Sequence, residues 1–213
     1  MPAVAAYVIC GLIAYLAGAI PFGLLVARAH GIDIRSVGSG NIGATNVFRC
    51  VGKPWGTLTF VCDVLKGFLP AFFLPGLAAR WAGIECGGQG LVVVCGCLAV
   101  VGHNWPVYAG FKGGKGVATS AGALLGIAPA AMGIGIATWI VVFLIGRYVS
   151  LASMSAAAVL AAVAWFIYGS RGPLIPAALT TLAVMIIWRH KGNVHRLREG
   201  TENRFSFRKG KSG

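Results

Sequence analysis

Apolar runs recur along this chain at the length of a membrane crossing. They fall near residues 4–27, 57–77, 89–107, 128–146, 149–168 and 173–188, and about 20 residues at helical rise cover a bilayer core. A seventh stretch, 115–127, is shorter and rich in Gly and Ala. The pattern predicts an all-α polytopic membrane protein with about seven transmembrane helices. Residues 4–27 resemble the apolar part of a signal peptide, but the run is too long, no basic residue precedes it, and no convincing cleavage site follows. Without repeats or low-complexity tracts, 1–205 reads as a single domain and 206–213 as a basic flexible tail.

Composition sharpens this. Hydrophobic residues make up 57% of the chain and charged residues only 11%, with mean hydropathy +0.80. A soluble domain carries about 25% charge, and disordered chains lack apolar surface, so both classes are excluded. The 18 Lys and Arg against 5 Asp and Glu give a net charge of +13. With seven crossings, one side collects Arg28, Arg35, Arg49, Lys53, Lys112, Lys115, Arg147 and every basic residue from Arg189 onward. The other side receives only Arg80 and Arg171. Positive residues accumulate in cytoplasmic loops, so the N-terminus is expected outside and the C-terminus in the cytoplasm. The charge is topological, and no nucleic-acid partner is expected. The cysteines Cys10, Cys50, Cys62, Cys86, Cys95 and Cys97 lie mostly in spans or on the cytoplasmic side, which argues against a disulfide framework.

Three polar, glycine-rich segments share the cytoplasmic side. The first is Val37-Gly-Ser-Gly-Asn-Ile-Gly-Ala-Thr-Asn46, followed by Arg49. Gly38, Gly40 and Gly43 satisfy G-x-G-x-x-G, but the preceding element is a membrane span and no βαβ pattern surrounds it, so a dinucleotide fold is rejected. Glycines still let backbone N–H groups converge, and Ser39, Asn41, Thr45 and Asn46 add neutral donors. Such a nest suits phosphate; the alternative is a flexible interhelical turn. The second segment joins Gly102-His103-Asn104-Trp105-Pro106 to Phe111-Lys112-Gly113-Gly114-Lys115-Gly116. It fails the Walker A spacing, yet two lysines in a glycine loop opening a helix at Val117 offer cations beside the positive end of a helix dipole. Positive-inside anchoring is the plainer alternative.

The third segment places His190 and Asn193 at i, i+3 among Arg189, Lys191, Arg196 and Arg198. Ser150, close after Arg147, is expected at the same boundary. Within the second span, Asp63 and Lys66 are also i, i+3 and can pair; intramembrane charges are functional candidates by default. No metal-ligand cluster is visible, and no cofactor is expected.

These three motifs, in this order and over about residues 1–204, resemble the bacterial integral-membrane acyl-phosphate:glycerol-3-phosphate acyltransferases. The resemblance implies transfer of an acyl group from acyl phosphate to the 1-hydroxyl of glycerol 3-phosphate, giving 1-acylglycerol 3-phosphate and phosphate. Acyl-CoA and acyl carrier protein are not implied as donors. It further implies a multi-pass plasma-membrane enzyme with its site facing the cytoplasm, embedded in lipid, with room for a soluble partner that makes acyl phosphate. By residue, it implies phosphate binding by Ser39 with Gly38, Gly40, Asn41, Gly43, Thr45, Asn46 and Arg49, and glycerol-phosphate binding by the loop Lys112 to Gly116. His190 and Asn193 match its polar pair, and Ser39, His190 and Asn193 are the expected catalytic groups, with His103 and Ser150 lining the substrate. Two mechanisms remain open: His190 as general base, or the substrate's own phosphate taking the proton while His190 hydrogen-bonds the acceptor. The His-x4-Asp signature of other glycerolipid acyltransferases is absent, which favours the second. A transporter would place its site at the midplane of repeated halves, and a lipid-binding scaffold would not need the glycine loops.

Overall fold

Pro21 interrupts the first apolar run. Lacking an N–H and fixed in φ, proline inside a helix removes one backbone hydrogen bond and kinks or breaks it; here the run divides into α1 (Pro2–Ala19) and α2 (Phe22–Ala29). The computed structural model describes residues 2–82 and 89–206; Glu85, Cys86 and most of the expected tail lie outside them. Further along come α3 (Ala44–Cys50), α4 (Lys53–Ala82), α5 (Gln89–Asn104), α6 (Val117–Ile127), α7 (Pro129–Gly146), α8 (Val149–Tyr168), α9 (Leu174–Arg189) and α10 (Lys191–Arg198). No strand occurs among the described residues, so the fold is all-α, as expected.

Five stretches are long and apolar enough to cross a membrane: Ala3–Ala29, Lys53–Arg80, Gln89–Ala109, Pro129–Gly146 and Val149–Arg171. The remaining two expected crossings, α6 and α9, are shorter apolar helices. The chain is therefore a multi-pass membrane protein. α4 extends well beyond the 57–77 expected, running through Pro70 and Pro75 without ending. The chain divides into two compact units, Met1–Pro129 and Ala130–Gly213.

In the first unit, α1 packs on α5, and α4 packs on α5, α6 and α1. These contacts are close because glycines remove the side chain where backbones meet. A Cβ on Gly67 would strike the Thr119 carbonyl oxygen, and one on Gly122 the Val64 carbonyl oxygen, so α4 and α6 touch backbone to backbone. Small residues serve this purpose in membranes, where burial of apolar area cannot drive helices together. One buried cluster between these helices is made mostly of small residues: Ala6, Cys10, Ala14, Ala78, Leu91 and Cys95. Large apolar side chains such as Leu12, Leu69, Phe72 and Phe73 instead face outward, which suits a lipid solvent. In the second unit α8 lies along α9, and Trp139 of α7 donates to Ser153 of α8 at 3.2 Å.

The break at Pro21 leaves a carbonyl that a continuous helix would have used. Lys66 reaches it: Nζ donates to the Ile20 carbonyl oxygen at 2.7 Å and lies 2.8 Å from Asp63 Oδ1. Both side chains are buried, 4% and 3% exposed. Removing one partner of a buried pair costs about 3–5 kcal/mol because the other charge is left uncompensated. Lys66→Met is therefore expected to lower the thermal unfolding temperature in detergent sharply. Replacing both, Asp63→Asn with Lys66→Met, should recover part of that loss. A single Lys66→Met variant as stable as wild type would contradict this account.

Candidate active site

The first glycine segment is folded around one amide. Asn46, 2% exposed, accepts from the Ser39 N–H through Oδ1 at 2.9 Å and donates through Nδ2 to the carbonyls of Ile34 (3.2 Å) and Val37 (3.1 Å). Gly38 and Gly40 hold φ of 60° and 67°, a region L side chains avoid, and this lets the turn close. Asn41 Oδ1 accepts from the Gly43 N–H at 2.8 Å. The amides of Asn41 and Asn46, expected as substrate donors, thus hold the loop's own backbone. The Ser39 side chain, Thr45 and Arg49 remain exposed, Arg49 in the last turn of α3.

The second segment lies against the end of α5. The Gly113 N–H donates to the Asn104 carbonyl and the Gly114 N–H to the His103 carbonyl, each at 3.2 Å. A side chain at Gly114 would collide with the His103 ring, and one at Gly113 with the His103 carbonyl oxygen. Those glycines are a packing requirement: the loop lies flat on its neighbour. Gly116 caps α6 in the left-handed region at φ 81°. His103 itself is buried, with Nδ1 3.6 Å from Asp63 Oδ1, so the Asp63–Lys66 pair also stands behind this loop.

Arg35 ties the two segments together. Its Nη2 donates to the Ala109 carbonyl at 2.8 Å and to the Lys112 carbonyl at 2.9 Å. Between the segments is a cleft of about 260 Å³ lined by Arg35, Ser39, Gly40, Asn41, Ile42, Lys112 and Gly113. Two motifs some 70 residues apart in sequence therefore share one cation-bearing cavity. Ser39, Gly40, Asn41, Lys112 and Gly113 are brought together there; Gly38, Gly43, Thr45, Asn46, Arg49, His103 and Ser150 do not line it.

The second unit gathers the third segment around a carboxylate. Glu202 Oε1 accepts from Ser150 Oγ and from Asn193 Nδ2, both at 2.7 Å, while Oε2 accepts from Arg196 Nε at 2.8 Å. Burial alone raises the Glu202 carboxyl. The three hydrogen bonds and the Arg196 charge outweigh it and hold the group below the usual carboxylate range. His190, 3% exposed, caps the end of α9, and its Nδ1 donates to the Ile186 carbonyl at 2.8 Å. That bond places a proton on Nδ1, so that in a neutral ring Nε2 is the acceptor nitrogen. Behind the ring stands a backbone carbonyl, where a charge-relay histidine would have a carboxylate. The following segment returns to the α7–α8 junction: the Phe205 N–H donates to the Arg147 carbonyl at 2.8 Å.

Sequence reasoning missed Arg35 and Glu202. Arg35 had counted only toward topology, though it lies two residues before Val37. Glu202 had been placed among tail arginines; its rarity as an acid in this chain was the available signal. Among the described residues no three His, Cys, Asp or Glu side chains gather into a metal-binding cluster.

Residues 8–200 match the family model described as glycerol-3-phosphate acyltransferase. Curated proteins of that name are similar throughout. The one from Geobacter sulfurreducens is 45% identical over 91% of this chain and 94% of its own length. The one from Aquifex aeolicus is 42% identical over 90% and 95%. A crystal structure of PlsY (YgiH), an integral membrane glycerol 3-phosphate acyltransferase in its glycerol 3-phosphate form, superposes with TM-score 0.83 at 38% identity, covering 94% of this chain and 96% of that one. A second, in the lysophosphatidic acid form, gives 0.80. Fold and comparisons together define an integral membrane acyltransferase. The chain belongs to the glycerol-3-phosphate acyltransferase family.

Because the Glu202 carboxyl is lowered in the folded protein, its contribution is complete above the ordinary value of about 4.3 and is lost as pH falls through the lowered folded value. Amide protection over residues 193–205, read by hydrogen exchange, is expected to hold above the ordinary carboxylate value of about 4.3 and to fall as the pH drops below it. In Glu202→Gln it should already be reduced at neutral pH and change little on acidification. Unchanged wild-type protection as the pH drops would refute the carboxylate's role.

Proposed function

We propose that the chain transfers an acyl group from acyl phosphate to the 1-hydroxyl of glycerol 3-phosphate, releasing phosphate, in the plasma membrane with its site facing the cytoplasm. The observation that carries this reading is the shared cleft, where the Ser39 turn and the Lys112 loop converge with Arg35. Both proposed substrates are phosphate monoesters or anhydrides, and cationic side chains beside exposed backbone donors suit both. The likeness to a structure in a glycerol 3-phosphate form supports the acceptor, and the lysophosphatidic acid form supports the product. A seven-crossing topology with the N-terminus outside accords with the lysine and arginine bias.

The chemistry asks little of acids and bases. Acyl phosphate is a mixed anhydride whose leaving group is stable at neutral pH. The glycerol 1-oxygen bonds to the acyl carbon, the carbon–oxygen bond to phosphorus breaks, and the electron pair leaves with phosphate. Rate then comes from positioning and from neutralising negative charge as it develops. Lys112, Lys115 and Arg49 supply cations, and Ser39 supplies a donor. His190 and Asn193 hydrogen-bond the acceptor substrate and orient it, while the substrate's own phosphate takes the proton of the attacking hydroxyl. The missing carboxylate behind His190 favours this over full general-base catalysis. A soluble enzyme that makes acyl phosphate is the partner the donor requires.

Purified protein in detergent, given acyl phosphate and glycerol 3-phosphate, is expected to release phosphate in step with 1-acylglycerol 3-phosphate. Acyl-CoA in place of acyl phosphate should give no product. Absence of release, alongside uptake of phosphate esters into vesicles, would overturn the reading in favour of a transporter. For His190→Ala, more than about a tenth of wild-type turnover at saturating substrate is expected, because general-base catalysis is worth about 10²–10⁴-fold. A loss of that larger size would assign His190 as the base. In Lys112→Met, KM for glycerol 3-phosphate should rise about tenfold, the effect of one charge-assisted hydrogen bond.

A further inference from the structure

The clamp between the two loops comes from a side chain that neither glycine motif contains. The Arg35 backbone N–H donates to Asp33 Oδ1 at 3.1 Å, which sets the turn that carries it. Both protons of Nη2 go to the second loop, at the Ala109 and Lys112 carbonyls. The three remaining N–H donors, on Nε and Nη1, take no protein acceptor among the described residues. Yet the side chain lines the cleft with Ser39, Gly40 and Lys112 and is open to solvent.

An arginine that only braced two loops would be expected to spend its fork on protein carbonyls. This one spends two of five donors. The guanidinium is planar and rigid, so fixing Nη2 on the loop also fixes the plane in which the other donors lie. Charge-assisted donors held in this way suit the oxygens of a phosphate, which a single ammonium meets only as a point charge.

Resting on the reading that this cleft takes glycerol 3-phosphate, we propose that Arg35 is a further substrate-phosphate-binding residue. Nη2 holds the Lys112 loop in place, and the rest of the guanidinium donates to the phosphate of glycerol 3-phosphate. Affinity and loop placement are then coupled through one side chain. Lysine at this position keeps the charge but cannot serve both ends.

Calorimetric binding of glycerol 3-phosphate to the full chain in detergent, without any acyl donor, tests this independently of the donor's identity. Arg35→Lys is expected to weaken binding about tenfold, the loss of one charge-assisted hydrogen bond, and Arg35→Gln further. In turnover assays KM for glycerol 3-phosphate should rise by the same factor while kcat stays within about threefold, the signature of lost ground-state binding. Thermal unfolding of each variant checks folding, and Arg35→Lys decides if Arg35→Gln proves unstable. Wild-type binding with Arg35→Lys affinity within twofold of it, or a fall in kcat at unchanged KM, would overturn the proposal. Wild-type protein that does not bind glycerol 3-phosphate at all would overturn the functional reading beneath it.

Discussion

A bilayer offers no water to an unpaired carbonyl or charge, and the first unit is built around meeting that condition at one place. Pro21 breaks the opening helix, and the Ile20 carbonyl at the break accepts from the Phe22 N–H and from Lys66, which Asp63 balances. Each member needs the others, since a buried ammonium without its carboxylate, or the reverse, would be prohibitively placed. The same carboxylate faces the His103 ring, on which Gly114 lies without room for a side chain. A topological break, an intramembrane ion pair and the glycine–lysine loop are thereby held in one chain of contacts.

Backbone proximity does elsewhere what side chains do in a soluble enzyme. Glycines let α4 meet α6 and α1 meet α5 at their carbonyls, giving a rigid frame without a large apolar interior. On that frame the loops are positioned by polar knots with very different centres. In the first unit a neutral amide, Asn46, gathers the turn. In the second a carboxylate, Glu202, gathers Ser150, Asn193 and Arg196. Both knots consume groups that a motif reading assigns to substrate.

The helical, multi-pass character was legible because hydropathy over 20-residue windows is a strong signal, and the family was legible because three motifs occur in order. What hydropathy could not show was the division of 4–27, since Pro21 is itself apolar enough to leave the run intact. Residue type equally could not say where an amide points: Asn41 and Asn46 read as donors to a ligand, and the left-handed glycines beside them turn those amides back onto the loop. Ser150, expected to line the substrate, bonds Glu202. Arg35 carries no motif, and its bonds to Ala109 and Lys112 span more than seventy positions, beyond any local pattern.

The length of α6 has a bearing on how two substrates of opposite solubility meet. Its 11 residues rise about 16 Å, roughly half of a bilayer's hydrocarbon thickness. On the proposed seven-crossing topology, a span that short leaves the loop at its start below the plane of the headgroups, or draws the bilayer down to meet it. The Lys112 loop is then an inlet of aqueous chemistry at the depth where acyl chains begin. On the proposed function, a water-soluble phosphate ester descends to it, and a lipid-borne acyl group need not leave the membrane to react.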